Sequence, residues 1–199
     1  RCIAALRELA EAADGRMTVI EADALTLDLT TITDKPRQIV SNLPYNVGTP
    51  LLLGWLENAT AFQRMTLMFQ KEVADRLTAV PRSKAYGRLS VLSQWLCETR
   101  HLFDVKPSAF VPPPAVMSTV VELIPRAEPL APANRLTLEA VTRHAFGQRR
   151  KMLRQSLKPL GGEALLQRAG IAPTARAEEL SVEDFCLLAN AIVSPGATG

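Results

Sequence analysis

The sequence predicts an α/β domain followed by a small all-helical one, and three observations carry that expectation. Short β-branched or apolar runs alternate with stretches of helical periodicity through the first part of the chain. The segment PRAEPLAPAN (Pro125 to Asn134) then brings three prolines and several alanines, the composition of a linker. Beyond it every periodic stretch is helical. Alternating strands and helices imply a mostly parallel sheet. The expected division is therefore residues 1–126 for the α/β domain and 127–199 for the linker and helical domain.

The elements follow in order. RCIAALRELAEAA has Ile3, Leu6, Leu9, Ala10 and Ala13 on one helical face, and Asp14-Gly15 makes a turn. MTVIEAD (Met17 to Asp23) reads as a strand ending in acids, and the polar stretch from Asp28 to Pro36 as a connection. RQIVSNLP (Arg37 to Pro44) is a second strand. TPLLLGWLENA (Thr49 to Ala59) is a helix with Thr49 as N-cap and Pro50 at its first position. RMTLMFQ (Arg64 to Gln70) is a third strand, KEVADRLTAV and GRLSVLSQWLCETR are helices, and RHLFDVK and STVVELI are strands. After the linker, TLEAVTRHAFGQRRKMLRQSLK, GEALLQRAG and SVEDFCLLANAIV are helices. Ser181 caps the last, with Asp184 in the capping-box position.

Composition narrows the function only in part. With 199 residues and 47% hydrophobic content there is enough material for a proper core. Charge is mixed, 23 Lys and Arg against 20 Asp and Glu, so any polyanion-binding surface must be local. Cys2, Cys97 and Cys186 are far apart and make no metal-ligand spacing. They read as free thiols in a reducing cytoplasm, and no metal site is expected. His101 and His144 lack a partner at ligand spacing and read as surface or packing residues. No apolar run reaches membrane-spanning length.

The chemistry-bearing stretch is SNLPYNVGTPLL, Ser41 to Leu52. It follows a strand, and in open α/β sheets ligands sit at the carboxyl ends of strands. Pro44 fixes its own φ and biases Leu43 toward extended geometry. That orients the Leu43 and Pro44 carbonyls and the Asn42 amide, which offers an acceptor and donors together. Tyr45 adds a flat face. Such a set suits a planar ring bearing an exocyclic amine, although an Asx/Pro turn that merely reverses the chain uses the same residues. Asp23, after the first strand, falls at the same end of the sheet.

NLPYN resembles the signature turn of amino methyltransferases, and most closely that of the ribosomal RNA adenine N6-dimethyltransferases. FQKEVADRL, KAYGRLSVLSQ, PSAFVPPPAV and AFGQRRKMLRQSL resemble successive signatures of the bacterial small-subunit branch, from about Ala5 to Ala191. The resemblance implies a Rossmann-like class I S-adenosylmethionine-dependent methyltransferase domain plus a small helical domain. It implies dimethylation of the N6 amine of adenosines in small-subunit ribosomal RNA, by a cytoplasmic monomer partnered with the small ribosomal subunit and with no membrane. Asn42 and the Pro44 carbonyl would hold the adenine amine, with Leu43 in the same turn. Tyr45 and Phe110 would stack on the two faces of the base. Asp23, Ala24 and Asn42 would bind the cofactor. A core aromatic is the other use of Phe110, and its Pro-rich loop argues against that. The large-subunit branch, the mitochondrial transcription-factor branch and a non-catalytic ribosome-assembly factor are the competing readings. A DNA adenine methyltransferase fits less well, since no stretch resembles a sequence-reading domain.

From Arg143 to Lys158 there are six Lys and Arg and no acid. On a continuous helix Arg143, Arg150, Lys151, Arg154 and Lys158 would share one face, opposite Val141, Ala145, Phe146, Met152, Leu153 and Leu157. A single-signed face is a candidate RNA phosphate surface, though a charged helix face is more often simply solvated. Arg149 falls among the apolar residues and is expected to pair internally. Lys71, Arg76, Lys84 and Arg88 are candidate extensions of the patch.

The chain also departs from the family pattern. Gly48 stands where Ser or Thr is usual, and Ala115 and Met117 where Lys and Asp are common. The family's glycine-rich cofactor loop and the acid that holds the ribose hydroxyls are absent, so the first strands of the sheet are expected to be missing and MTVIEAD to lose its bridge to the rest. The expectation is that this chain alone neither binds cofactor tightly nor methylates. Calorimetric titration with S-adenosylmethionine checks it: weak or no heat is expected, and tight binding contradicts it.

Overall fold

The computed structural model describes residues 2–192; Arg1, the Cys2 side chain and residues 193–199, with the SPGATG tail, lie outside the described residues. The chain forms two compact units, Arg1–Asp34 and Lys35–Gly199.

The first unit opens with α1 (Cys2–Ala12), as the periodicity requires. The helix stops where Asp14 and Gly15 take positive φ (50° and 76°), the conformation that Gly and Asp tolerate best. Residues 17–23, expected as a strand, form no ladder. Alternating apolar residues alone do not make a strand without a neighbour to satisfy the backbone. The segment ends instead in an Asx turn, where Asp23 Oδ1 accepts from the Leu25 amide at 2.9 Å. Asp28 then caps a single 3-10 turn, Leu29–Thr31.

The second unit holds a four-stranded sheet in the order β1-β2-β4-β3: β1 (Gln38–Asn42), β2 (Arg64–Gln70), β3 (Cys97–Val105) and β4 (Ser118–Pro125). Only β1 and β2 run parallel, joined through the helix α2 (Gly48–Trp55); β2–β4 and β3–β4 are antiparallel. The sheet is thus less parallel than expected, because β3 and β4 are joined by a loop with no crossover helix. β2 alternates buried and part-exposed residues, with Met65, Leu67 and Phe69 inward. Two helices follow β2, α3 (Lys71–Leu77) and α4 (Arg88–Leu96). The second was expected to reach Arg100. It ends at Leu96 because Cys97, Glu98 and Thr99 pair with Pro125, Ile124 and Leu123 of β4. The expected N-cap, Thr49, lies inside α2 instead. Pro50 is its third residue, still within the first turn, where the missing N–H has no intrahelical partner to lose.

Past β4 all elements are helical: α5 (Arg135–Gly147), α6 (Leu153–Ser156), α7 (Gly162–Arg168) and α8 (Val182–Asn190). Ser181 and Asp184 form the expected capping box, with reciprocal bonds of 3.1 and 2.9 Å. The boundary at 126–127 is a change of secondary structure inside one compact unit. A single cluster of buried residues runs from Val91, Leu92 and Trp95 of α4 to Leu138, Leu165 and Phe185. The Pro- and Ala-rich segment is fastened down: Trp95 Nε1 donates to the Ala131 carbonyl and Asn190 Nδ2 to the Pro132 carbonyl, each at 2.8 Å.

A polar tie locks β3, β4 and α3 together. Asp104 accepts from the Thr119 hydroxyl at 2.6 Å and lies 2.9 Å from His101 Nε2 and 3.4 Å from Lys71 Nζ. These contacts, the Thr119 hydrogen bond first, pull the Asp104 carboxyl down from 3.8 to about 2. A carboxyl that ionises more readily folded than unfolded stabilises fully above its ordinary range. That stabilisation is lost as the pH falls toward the folded value. Urea unfolding between pH 4 and pH 2 should therefore show a smaller loss of stability for Asp104→Asn than for the parent chain; equal losses would remove Asp104 from the account.

Candidate active site and basic surface

Where β1 ends, the chain makes one tight turn and enters α2. The Leu43 amide donates to the Met68 carbonyl at 3.3 Å, a last rung on β2. The Pro44 carbonyl then accepts from the amides of both Val47 (3.2 Å) and Gly48 (2.9 Å). Those two bonds use both of its lone pairs. The Leu43 carbonyl and the Asn42 side-chain amide have no hydrogen-bond partner among the described residues. The expected acceptor pair, Asn42 with Pro44, is thus revised: the free carbonyl belongs to Leu43.

Gly48 packs closely at this entry into the helix. A Cβ there would lie 3.2 Å from Leu43 Cβ and 3.2 Å from Phe69 Cε1. The serine or threonine of the family pattern would need both neighbours to give by a few tenths of an ångström.

A cavity of about 300 Å³ opens at this strand end, lined by Asn42, Leu43, Pro44, Tyr45, Phe110, Pro112 and Pro114. The five residues singled out from the sequence therefore surround one space. Phe110 leaves a 3-10 turn, Pro107–Ala109, in extended conformation and is part-buried at the cavity wall. Tyr45 is 46% exposed, yet its hydroxyl lies 3.1 Å from the Ser118 hydroxyl, within hydrogen-bond distance. The sequence reading missed Ser118, Pro112 and Pro114. The prolines stood inside the PSAFVPPPAV motif; for Ser118 the only signal was a hydroxyl heading a β-branched strand. Asp23 and Ala24 belong to the first unit. Both are exposed, and the second carboxylate oxygen of Asp23 has no donor among the described residues.

The basic segment is not one helix. α5 ends at Gly147, Gln148 leaves helical geometry (φ −130°, ψ 53°), and Met152 is extended before α6 (φ −65°, ψ 148°). The break lets Met152 bridge to Arg176 and the Leu153 amide reach the Ala175 carbonyl at 2.8 Å. Leu153 and Leu157 are then fully buried. The single helical face expected for the five cations therefore does not exist. Arg143, Arg150, Lys151, Arg154 and Lys158 are nevertheless all exposed, and none is in an ion pair among the described residues. Arg149 turns inward and donates to the Ser83 carbonyl at 3.1 Å.

A large cleft, about 920 Å³, is lined by residues of α2, α3, α4 and α5 and the loop before α4. Its apolar floor includes Tyr86, Leu92 and Phe146, and its cations are Arg76, Lys84, Arg88 and Arg149. Arg76 is paired with Glu72, and Arg88 stands 3.9 Å from Glu139. Lys84 is exposed, with no ion pair among the described residues. Lys71, expected to extend the patch, is committed to Asp75 (3.2 Å) and Asp104.

Known proteins resemble this chain along most of its length. A family model described as ribosomal RNA adenine dimethylase matches residues 2–194. The chain is 65% identical over 193 residues to a ribosomal RNA small subunit methyltransferase A of Paramagnetospirillum magneticum, covering 96% of this chain and 69% of the relative. It is 59% identical to the protein of that name from Rhodospirillum rubrum, covering 98% and 68%. A dimethyladenosine transferase from Plasmodium falciparum superposes with a TM-score of 0.75 at 24% identity, over 92% of this chain and 74% of that one. The 23S rRNA methyltransferase ErmE superposes with a TM-score of 0.66 at 25% identity, over 94% and 77%.

Proposed function

The chain belongs to the ribosomal RNA adenine dimethylase family, and on that premise we propose that its substrate is the N6 amine of adenosines in small-subunit ribosomal RNA, dimethylated at the expense of S-adenosylmethionine. One observation carries the site assignment. The strand-end turn consumes the Pro44 carbonyl internally and leaves the Leu43 carbonyl and the Asn42 amide oxygen as acceptors at a cavity walled by Tyr45 and Phe110.

An adenine amine is a poor nucleophile because its lone pair is delocalised into the ring. Leu43 and Asn42 accept its two N–H bonds and draw the nitrogen toward tetrahedral geometry, which localises the lone pair opposite the acceptors. Each ~1.4 kcal/mol gained this way is a factor of ten in rate. The acceptors are fixed before the substrate arrives, so little reorganisation is needed. Tyr45 and Phe110 stack on the base and hold it out of its RNA, worth about 1–3 kcal/mol per face. No histidine lines the cavity, and the proton leaves the methylated amine for solvent after transfer.

Within the first unit, Asp23 has a carboxylate oxygen with no donor among the described residues, an acceptor suited to the adenine amine of the cofactor, with Ala24 beside it. S-adenosylmethionine, when bound, supplies an electrophilic methyl on a sulfonium. The exposed cations Arg143, Arg150, Lys151, Arg154 and Lys158, with Lys84 in the large cleft, take RNA phosphates.

Transfer of labelled methyl groups to unmodified ribosomal subunits tests the reading, with this chain and with this chain joined to the additional residues of its 65% identical relative. The expected product is dimethyladenosine in the small subunit, formed by the extended chain and not by this chain alone. Asn42→Ala should lower the rate by about 10²–10³, the scale of losing one preorganised hydrogen-bonding group. Label confined to the large subunit, or an Asn42→Ala rate within a few-fold of the parent, contradicts it. For the RNA surface, Lys151→Ala should reduce the slope of log K against log salt by about 1; an unchanged slope removes Lys151 from the interface.

A further inference from the structure

We propose that Ser118 is the positioning residue for Tyr45, setting the plane on which the target base stacks; this rests on the base-stacking reading above. The geometry is specific. The Tyr45 ring is 46% exposed while Ser118 is 1% exposed, and their hydroxyls lie 3.1 Å apart. The aromatic face is thus open and its tip is pinned to a buried group. A buried hydroxyl needs a hydrogen-bond partner, and this is the bond that the described structure gives Ser118. An unpinned tyrosine on a turn would rotate among rotamers, and binding a base would then cost the entropy of stopping it.

Ser118 is itself an immobile anchor. It heads β4 and is paired on both sides, with Gln70 of β2 and Val105 of β3. The residue before it, Met117, accepts from the Lys71 amide at 2.9 Å, and the residue after it, Thr119, donates to Asp104 at 2.6 Å. Ser118 also ends the loop that carries Phe110, Pro112 and Pro114 into the cavity wall. One hydroxyl pair therefore joins the turn bearing one stacking ring to the loop bearing the other, and fixes the slot between them. The positioning acts through Tyr45; Ser118 does not line the cavity.

The chain has two tyrosines, Tyr45 and Tyr86, so fluorine NMR of 3-fluorotyrosine-labelled protein reads the tie without any RNA. In Ser118→Ala the Tyr45 resonance should sharpen and move toward that of free fluorotyrosine, while that of the buried Tyr86 stays in place. An unmoved Tyr45 resonance overturns the proposal and leaves the stacking reading untouched. The consequence is read by fluorescence quenching of a short single-stranded RNA carrying 2-aminopurine, which stacks but lacks the 6-amine. Ser118→Ala and Tyr45→Phe should each weaken affinity about three- to tenfold, the worth of one neutral hydrogen bond, with matching loss of quenching. The double variant should be no worse than either single. Additive losses overturn the proposal. A moved Tyr45 resonance with no change in quenching shows that the tie exists and that stacking does not depend on it, which overturns the positioning role. Tyr45→Ala without effect on quenching overturns the stacking reading itself.

Discussion

Everything at the site depends on where the Pro44 carbonyl points. By accepting from the amides of both Val47 and Gly48 it converts the end of β1 into the start of α2 within one turn. Three consequences follow from that economy. The helix needs no side-chain cap, because a backbone carbonyl ties down its first amides. Gly48 leaves little room for a side chain, because the helix start passes against Leu43 and Phe69. The Leu43 carbonyl, one residue back, and the Asn42 amide beside it are left without a partner among the described residues. A turn that satisfied both carbonyls would leave the Asn42 side chain as the one acceptor of this turn.

The surrounding structure keeps that arrangement rigid. β2 carries the core residues Met65, Leu67 and Phe69 and pairs with a strand on each side, so the turn rests on a fixed platform. Phe110 reaches the cavity on a loop whose end is held by the Lys71–Met117 bond and the Asp104 cluster. Side chains that would be free cations elsewhere are used in this framing. Lys71 is bound to two carboxylates, which is why it adds little to the basic surface although its position along the chain suggested otherwise.

Legibility in the sequence followed the range of the interaction that decides each feature. Local chemistry was readable: β2 spans the run expected for it, the Ser181 and Asp184 capping box forms, and Asn42 to Tyr45 with Phe110 line one cavity. Features set by distant partners were not. Residues 17–23 carry a strand-like pattern and form no ladder, while Cys97–Thr99 carry a helical pattern and pair with β4. The basic stretch shows the same limit. Helical spacing from Arg143 to Lys158 is interrupted at Gln148 because burying Leu153 and Leu157, and bonding to Ala175 and Arg176, requires the chain to turn there. The choice between the Leu43 and Pro44 carbonyls was equally hidden. It depends on which oxygen the following helix takes, and the NLPY tetrapeptide alone does not determine that.

The most direct test of the central claim is a crystal structure of this chain soaked with adenosine. The account predicts the base in the cavity between Tyr45 and Phe110, with its N6 amine within hydrogen-bond distance of the Leu43 carbonyl and Asn42 Oδ1, and the Pro44 carbonyl still held by Val47 and Gly48. An amine bound to the Pro44 carbonyl, or a base seated away from Tyr45, would contradict it.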